Sequence, residues 1–204
     1  STPYYLNLSE NFDLTITPTN YSGRGQMFEA EFRHKTENSD TVIELANLDN
    51  DDIYRDNRHA YFIRDSRTFK NTLVQKNNTW RGTQISSSIN VGGISDIKYF
   101  DDFSNTVSRV GRTHITRDIM LERLDYNDYG YFRTSIAATD YQLAKENLVE
   151  QYSVLPRVNF EYRSERLDRS LNYNFNGEIA DFDHTLPQKT TGLRMVLYPS
   201  IEYP

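Results

Sequence analysis

Apolar and polar positions alternate along most of this chain. Phe12, Leu14 and Ile16 are separated by Asp13 and Thr15, with Thr17 before Pro18. Phe28, Ala30 and Phe32 alternate with Glu29, Glu31 and Arg33, and Phe132, Thr134, Ile136 and Ala138 with Arg133, Ser135 and Ala137. Val158, Phe160 and Tyr162 stand between Arg157, Asn159, Glu161 and Arg163. The cleanest run sets Leu171, Tyr173, Phe175 and Ile179 against Asn172, Asn174, Asn176 and Glu178. The last sets Leu193, Met195, Leu197, Ile201 and Tyr203 against Arg194, Ser200 and Glu202. Successive side chains of a strand point to opposite faces, so period two marks a two-faced ribbon. The pattern predicts an all-β protein, an antiparallel meander of about ten or eleven strands joined by hairpins. Trp80 to Asn90 reads as a weak, Ser-rich strand, and Tyr61-Phe62-Ile63 and Ile119-Met120-Leu121 are apolar on both faces. Ala144 to Leu148 is the nearest approach to a helix and is too short to stand alone.

Two prolines mark the first strands. Pro3 precedes Tyr4-Tyr5-Leu6-Asn7, and Pro18 closes the run from Phe12. Proline cannot donate to a ladder, so these strands are expected at an edge or a seam. Polar connections follow at Thr36–Asp40, Leu48–Arg58, Val91–Val107, Asp125–Asp128 and Asp183–Thr191, roughly short and long by turns, as in outer-membrane barrels.

Composition narrows the architecture. The 204 residues are only 37% hydrophobic, yet 13% are aromatic, with 15 Tyr and 11 Phe. Many aromatics with little aliphatic bulk suit a sheet with one thin apolar face, in a soluble sandwich or in a transmembrane barrel. Several runs reach the ~9–11 residues that a tilted strand needs to cross a bilayer. Their polar positions are rich in Asn, Glu and Arg, as a water-filled lumen requires, so the barrel is favoured. No apolar run approaches the ~18 residues of a membrane helix. The net charge of −6, from 23 basic and 29 acidic residues, argues against nucleic acid as a partner. Without cysteine there is neither a disulfide framework nor a thiolate metal site. The chain opens mid-pattern at Ser1-Thr2-Pro3 and ends on Tyr203-Pro204, which reads as part of a longer barrel domain over 1–204.

Reactive chemistry is sparse. Asp49-Asn50-Asp51-Asp52 offers oxygen ligands to a hard cation but lacks the glycine and closing glutamate of an EF-hand, and reads as a solvated acidic loop. Gly92-Gly93 has no following helix to present its amides to a phosphate. His34, His59, His114 and His184 show no metal-ligand spacing, and Glu29 and Glu31 read as polar residues on one strand face. Neither an enzyme nor a cofactor is expected. Tyr4, Tyr5, Tyr21, Tyr99, Phe100, Phe103, Tyr129, Tyr131, Tyr198 and Tyr203 fit interfacial aromatic belts and ordinary sheet packing equally well. By position, the candidate lumen-facing residues are Asp13, Thr15, Thr17, Glu29, Glu31, Arg33, Asn172, Asn174, Asn176 and Glu178.

These segments together resemble one family, LptD (OstA), the lipopolysaccharide-assembly proteins of Gram-negative outer membranes. The resemblance is carried by Pro3-Tyr4-Tyr5-Leu6-Asn7, by Asn11 to Pro18, and by Arg24-Gly25 ahead of Glu31-Phe32-Arg33. It continues through Ser95-Asp96, Tyr99-Phe100-Asp101-Asp102-Phe103, Leu155-Pro156, Gly192-Leu193-Arg194, Pro199 and Tyr203-Pro204. The family often has Trp where Leu6 stands and Pro where Glu10 stands. The resemblance implies the N-terminal strands of a barrel of roughly two dozen or more strands, without the periplasmic jelly-roll domain, most of the first gate strand, the closing strands or the cysteines of many members. It implies lipopolysaccharide received from a periplasmic LptA bridge and passed to the outer leaflet through the lumen and a lateral gate. It also implies LptE as a lumen plug, contact with outer-membrane lipid, and Pro3 and Pro18 beside that gate. The alternatives are a passive porin-like channel and a soluble β-sandwich carbohydrate-binding module.

Overall fold

The computed structural model describes residues 1–73, 81–103, 113–164 and 171–203. Trp80, residues 104–107 of the expected 91–107 connection, and Pro204 lie outside them. The strands are β1 (Tyr4–Ser9), β2 (Phe12–Tyr21), β3 (Gly25–Lys35), β4 (Ser39–Leu48), β5 (Arg58–Leu73) and β6 (Arg81–Ile94), followed by β7 (His114–Asn127), β8 (Gly130–Leu143), β9 (Ser153–Ser164), β10 (Asn172–Asp183) and β11 (Gly192–Glu202). They form one sheet in sequence order, an eleven-stranded meander, and the order does not return β11 to β1. A helical turn, α1 (Tyr99–Asp102), follows β6 where a polar connection was expected. Residues 144–148 are not helical.

Two compact units divide the chain. The first comprises Ser1–Ser66, Ile89–Arg117 and Tyr141–Glu150; the second comprises Arg67–Ser88, Asp118–Asp140 and Gln151–Pro204.

In the first unit, register sorts side chains as the alternation requires, because directly paired residues share a face. Leu6, Leu14, Phe32 and Ile43 form one row, and Tyr4, Ile16, Ala30 and Leu45 the next. Tyr4, Leu6, Phe28 and Leu45 on this side are exposed although apolar. The opposite side holds the rows Asn7–Asp13–Arg33 and Tyr5–Thr15–Glu31–Glu44. That polar side turns apolar at one end. Met27 and Leu48, two residues along from Glu29 and Ala46, are fully buried with Ala60, Phe62, Ile94 and Ile115 beneath Tyr99, Phe100 and Phe103. Phe62, undecided from periodicity, therefore points into this cluster, while Tyr61 is 37% exposed. One pair breaks the pattern: on the apolar side, Thr41 donates to Asp65 at 2.5 Å, and both are buried.

In the second unit the rows Phe132–Tyr162–Phe175–Pro199 and Ile136–Val158–Ile179–Met195 make an apolar side. Between them Phe160 lies over Gly177, where an added Cβ would stand 2.1 Å from the ring. Pro156, inside a central strand, has a local explanation. The register of β9 shifts between Arg157 and Val154 against both β8 and β10, so this proline occupies a bulge in which the ladders are already interrupted.

Candidate functional site

Backbone hydrogen bonds fix what each proline withholds. Lys35 N donates to Asn11 O, and Thr36 N to Ser39 O. N–H groups alternate sides along a strand, so the odd residues of β3 face β2 and the even ones face β4. The odd residues of β2 therefore face β3, and the even ones face β1. Pro18 is even, opposite Phe28 in a pair without mutual hydrogen bonds, and its missing donor is one that β1 would have received. The β1–β2 ladder runs as far as Tyr4↔Ile16, two residues before Pro18. Continuing the alternation back from Tyr4, the missing donor of Pro3 falls on the open edge of β1, away from β2. One proline removes a donor between β2 and β1; the other removes one from the side of β1 away from β2. Pro199 repeats the second arrangement at β11. Tyr173 N donates towards β9, to Ser164 Oγ, so Phe175 also faces β9 and its partner Pro199 lacks a donor on the side away from β10.

The polar side of the first unit brings the expected residues together. Arg33 holds Asp13 through Nε at 2.9 Å and Nη2 at 3.1 Å, with Glu31 3.4 Å from Nε. Thr19 donates to Glu29 at 3.3 Å, and Arg64 to Glu44 at 2.9 Å. Thr15 and Thr17 lie on the same side by register with Glu31 and Glu29. In the second unit Glu178 bridges Arg194, at 2.5 Å, and Arg157, at 3.5 Å. Tyr131 and Arg133 both reach Glu161. Asn176 and Glu178 line a depression of about 330 Å³ with Arg133, Asn159, Glu161 and Tyr198. Asn172 and Asn174 continue the same side of β10, each with a buried Oδ1 that accepts no hydrogen bond from the described residues.

Sequence reasoning missed the most buried charges. Arg58, fully buried, donates from Nε and Nη2 to Asp96 at 2.8 Å each and from Nη1 to Asp102 at 2.5 Å, with Asp51 at 3.4 Å. Arg24 donates to Asp51 at 2.8 Å and to Asp102 at 2.7 Å. The Arg58 guanidinium also lies 4.7 Å from the ring centres of Tyr54 and Phe103. Asp51 thus belongs to neither a cation site nor a solvated loop, and among the described residues no group of three or more His, Asp or Glu could hold a metal. Tyr99, Phe100 and Phe103 are likewise buried in this cluster instead of standing in an interfacial belt. Their spacing was the available signal: i, i+1 and i+4 share one face of a helical turn, more apolar surface than a solvated connection would carry.

Burial pushes the Asp51 carboxyl up, but N–H donation from Tyr54 and Ile53 and the Arg24 guanidinium outweigh it, and its pKa lies below the ordinary value. A folded-state pKa below the unfolded one means that its stabilisation is complete above about pH 3.9 and is lost as pH falls through the lower folded value. Acidification across that window is expected to lower the protection of the Ile53 and Tyr54 amides relative to their intrinsic exchange rates, while protection at β10 changes less.

The family model for LptD, "LPS transport system D", matches residues 56–204. Among curated proteins, the LPS-assembly protein LptD of Shewanella frigidimarina is 30% identical over 212 residues, covering 100% of this chain and 25% of its own length. The protein of the same name from Shewanella denitrificans is 28% identical, with the same coverage. That from Pseudomonas aeruginosa is 30% identical across 91% of this chain and 19% of its own length. The chain therefore spans about a quarter or less of the curated relatives it matches.

Proposed function

The chain belongs to the LptD family, and on that premise we propose that it forms one flank of an outer-membrane barrel through which lipopolysaccharide reaches the outer leaflet. The apolar side faces lipid. The polar side, with Asp13, Thr15, Thr17, Glu29, Glu31, Arg33, Asn172, Asn174, Asn176 and Glu178, faces the lumen. The open edge of β1 is one side of a lateral gate at Pro3 and Pro18, and the strand across it lies outside this chain. A plug such as LptE fits the charged lumen side, and delivery from an LptA bridge belongs to segments that precede the barrel. The work is transport without covalent chemistry.

The observation that carries this reading is the β1 edge. A made backbone hydrogen bond is worth roughly 0.5–1.5 kcal/mol net in water, and in hydrocarbon an unsatisfied group costs several kcal/mol. Proline satisfies the geometry of an edge strand while leaving fewer bonds to break when the seam parts. Exchanging Pro3 and Pro18 together for alanine in full-length LptD restores one donor to the open edge and one towards β1. Lipopolysaccharide arrival at the cell surface is expected to slow, with barrel assembly unchanged. Unaltered delivery in a correctly assembled double variant would overturn the gate.

A further inference from the structure

The gate reading, on which this inference rests, does not say which strand moves. The ladder of β1 to β2 is irregular, shifting register between Asn7 and Ser9. β2 is held differently. Its ladder to β3 runs without a shift from Phe12↔His34 to Tyr21↔Gly25. Beyond that ladder its end is pinned from the polar side. The Tyr21 ring meets Phe103 edge-on at 5.1 Å, Arg24 in the following turn is ion-paired to Asp51 and Asp102, and Asp52 N donates to Arg24 O at 3.0 Å. Asp51 and Asp102 also contact Arg58, which holds Asp96. The β2–β3 turn, the β4–β5 connection and residues 95–103 thus share one charge cluster, roofed by Tyr99 and Phe103.

We propose that residues 95–103 are a latch that locks β2 into the barrel wall through Arg24 and Arg58, so that β1 alone leaves at the gate by peeling from β2. Moving β2 would break an uninterrupted ladder and draw paired charges out of a buried cluster. Moving β1 breaks a ladder that is already shifted between Asn7 and Ser9 and in which Pro18 cannot donate. Arg24 and Arg58 are positioning residues: they need not touch the cargo, and they decide where the wall ends and the moving strand begins.

Paired cysteines in full-length LptD test this. Leu6→Cys with Leu14→Cys joins β1 to β2, and Leu14→Cys with Phe32→Cys joins β2 to β3. Both are directly opposed positions on the lipid side, at separations a disulfide can span. Oxidising the first pair is expected to stop lipopolysaccharide delivery until reductant is added, while the second pair delivers normally in both states. Hydrogen exchange adds a readout independent of delivery: in Arg24→Gln, β2 amides should lose protection towards the level of β1, with β9 and β10 unchanged. Delivery that survives the β1–β2 crosslink, or β2 protection unmoved by Arg24→Gln, would overturn the latch. A delivery defect in the proline double variant alongside either result would leave the gate standing without it, whereas normal delivery in that variant would remove the gate itself.

Discussion

Exchanging Arg58 for methionine is expected to destabilise the folded protein by about 3–5 kcal/mol, the usual cost of removing one member of a buried ion pair. The side chain is fully buried, and the carboxylates around it differ in what else holds them. Asp51 and Asp102 retain Arg24, and Asp102 is 27% exposed, so water shares part of its charge. Asp96 is 7% exposed, and Arg58 supplies its two short guanidinium bonds. Most of the penalty therefore falls at Asp96, which keeps only the neutral donors Ser95 Oγ and Lys98 N among the described residues and must pull residues 95–103 towards water. Methionine keeps much of the buried volume, which separates the charge from the packing. Equilibrium urea unfolding in lipid would measure the change. Arg33→Met is the comparison: that guanidinium is 50% exposed beside Asp13, and its loss should cost about 1 kcal/mol or less. Equal effects at the two sites would show that burial of the cluster does not set its strength.

The strands were legible because their signal is local. In β2, β3 and β10 each polar residue between two apolar ones reports the side on which it lies, and the observed rows follow that parity. The prolines were legible only in part: each withholds a donor wherever it stands, but β2, which carries Pro18, is paired on both sides and is no edge strand, and register was needed to say which neighbour loses the bond. The charge cluster is a different kind of feature. Arg24 and Asp102 are 78 positions apart, and Arg58 and Asp96 are 38 apart. Each lies in a connection or at a strand end, where a lone charge reads as solvated. No one-dimensional pattern tells a solvated aspartate from one that a distant arginine will bury. The bulge at Leu155-Pro156 falls between these cases, since proline in a strand announces an interruption without saying whether the strand resumes beyond it. Here it does, and β9 extends back to Ser153.

A charge on the apolar side should separate a membrane wall from a soluble sheet. Leu45 lies within β4 on the row Ile16–Ala30–Leu45 and is 48% exposed despite its apolar side chain. On a soluble sheet, arginine there would meet water at little cost. On a barrel wall it meets hydrocarbon, and Leu45→Arg is expected to cost about 2–4 kcal/mol if its level is near the bilayer midplane, less towards either interface. The neighbouring residue supplies the control. Glu44 faces the opposite side and pairs with the 43% exposed Arg64, so Glu44→Gln should change stability by about 1 kcal/mol or less. Two adjacent substitutions, one adding a charge and one removing it, thus sample the two sides of the same strand. Unfolding measured in bilayers of increasing thickness sharpens the contrast, because only a lipid-facing arginine is carried farther from the headgroups as the hydrocarbon deepens. If Leu45→Arg were as mild as Glu44→Gln in every bilayer, the apolar side would not face lipid, and the barrel wall would have to be abandoned along with the gate at its edge.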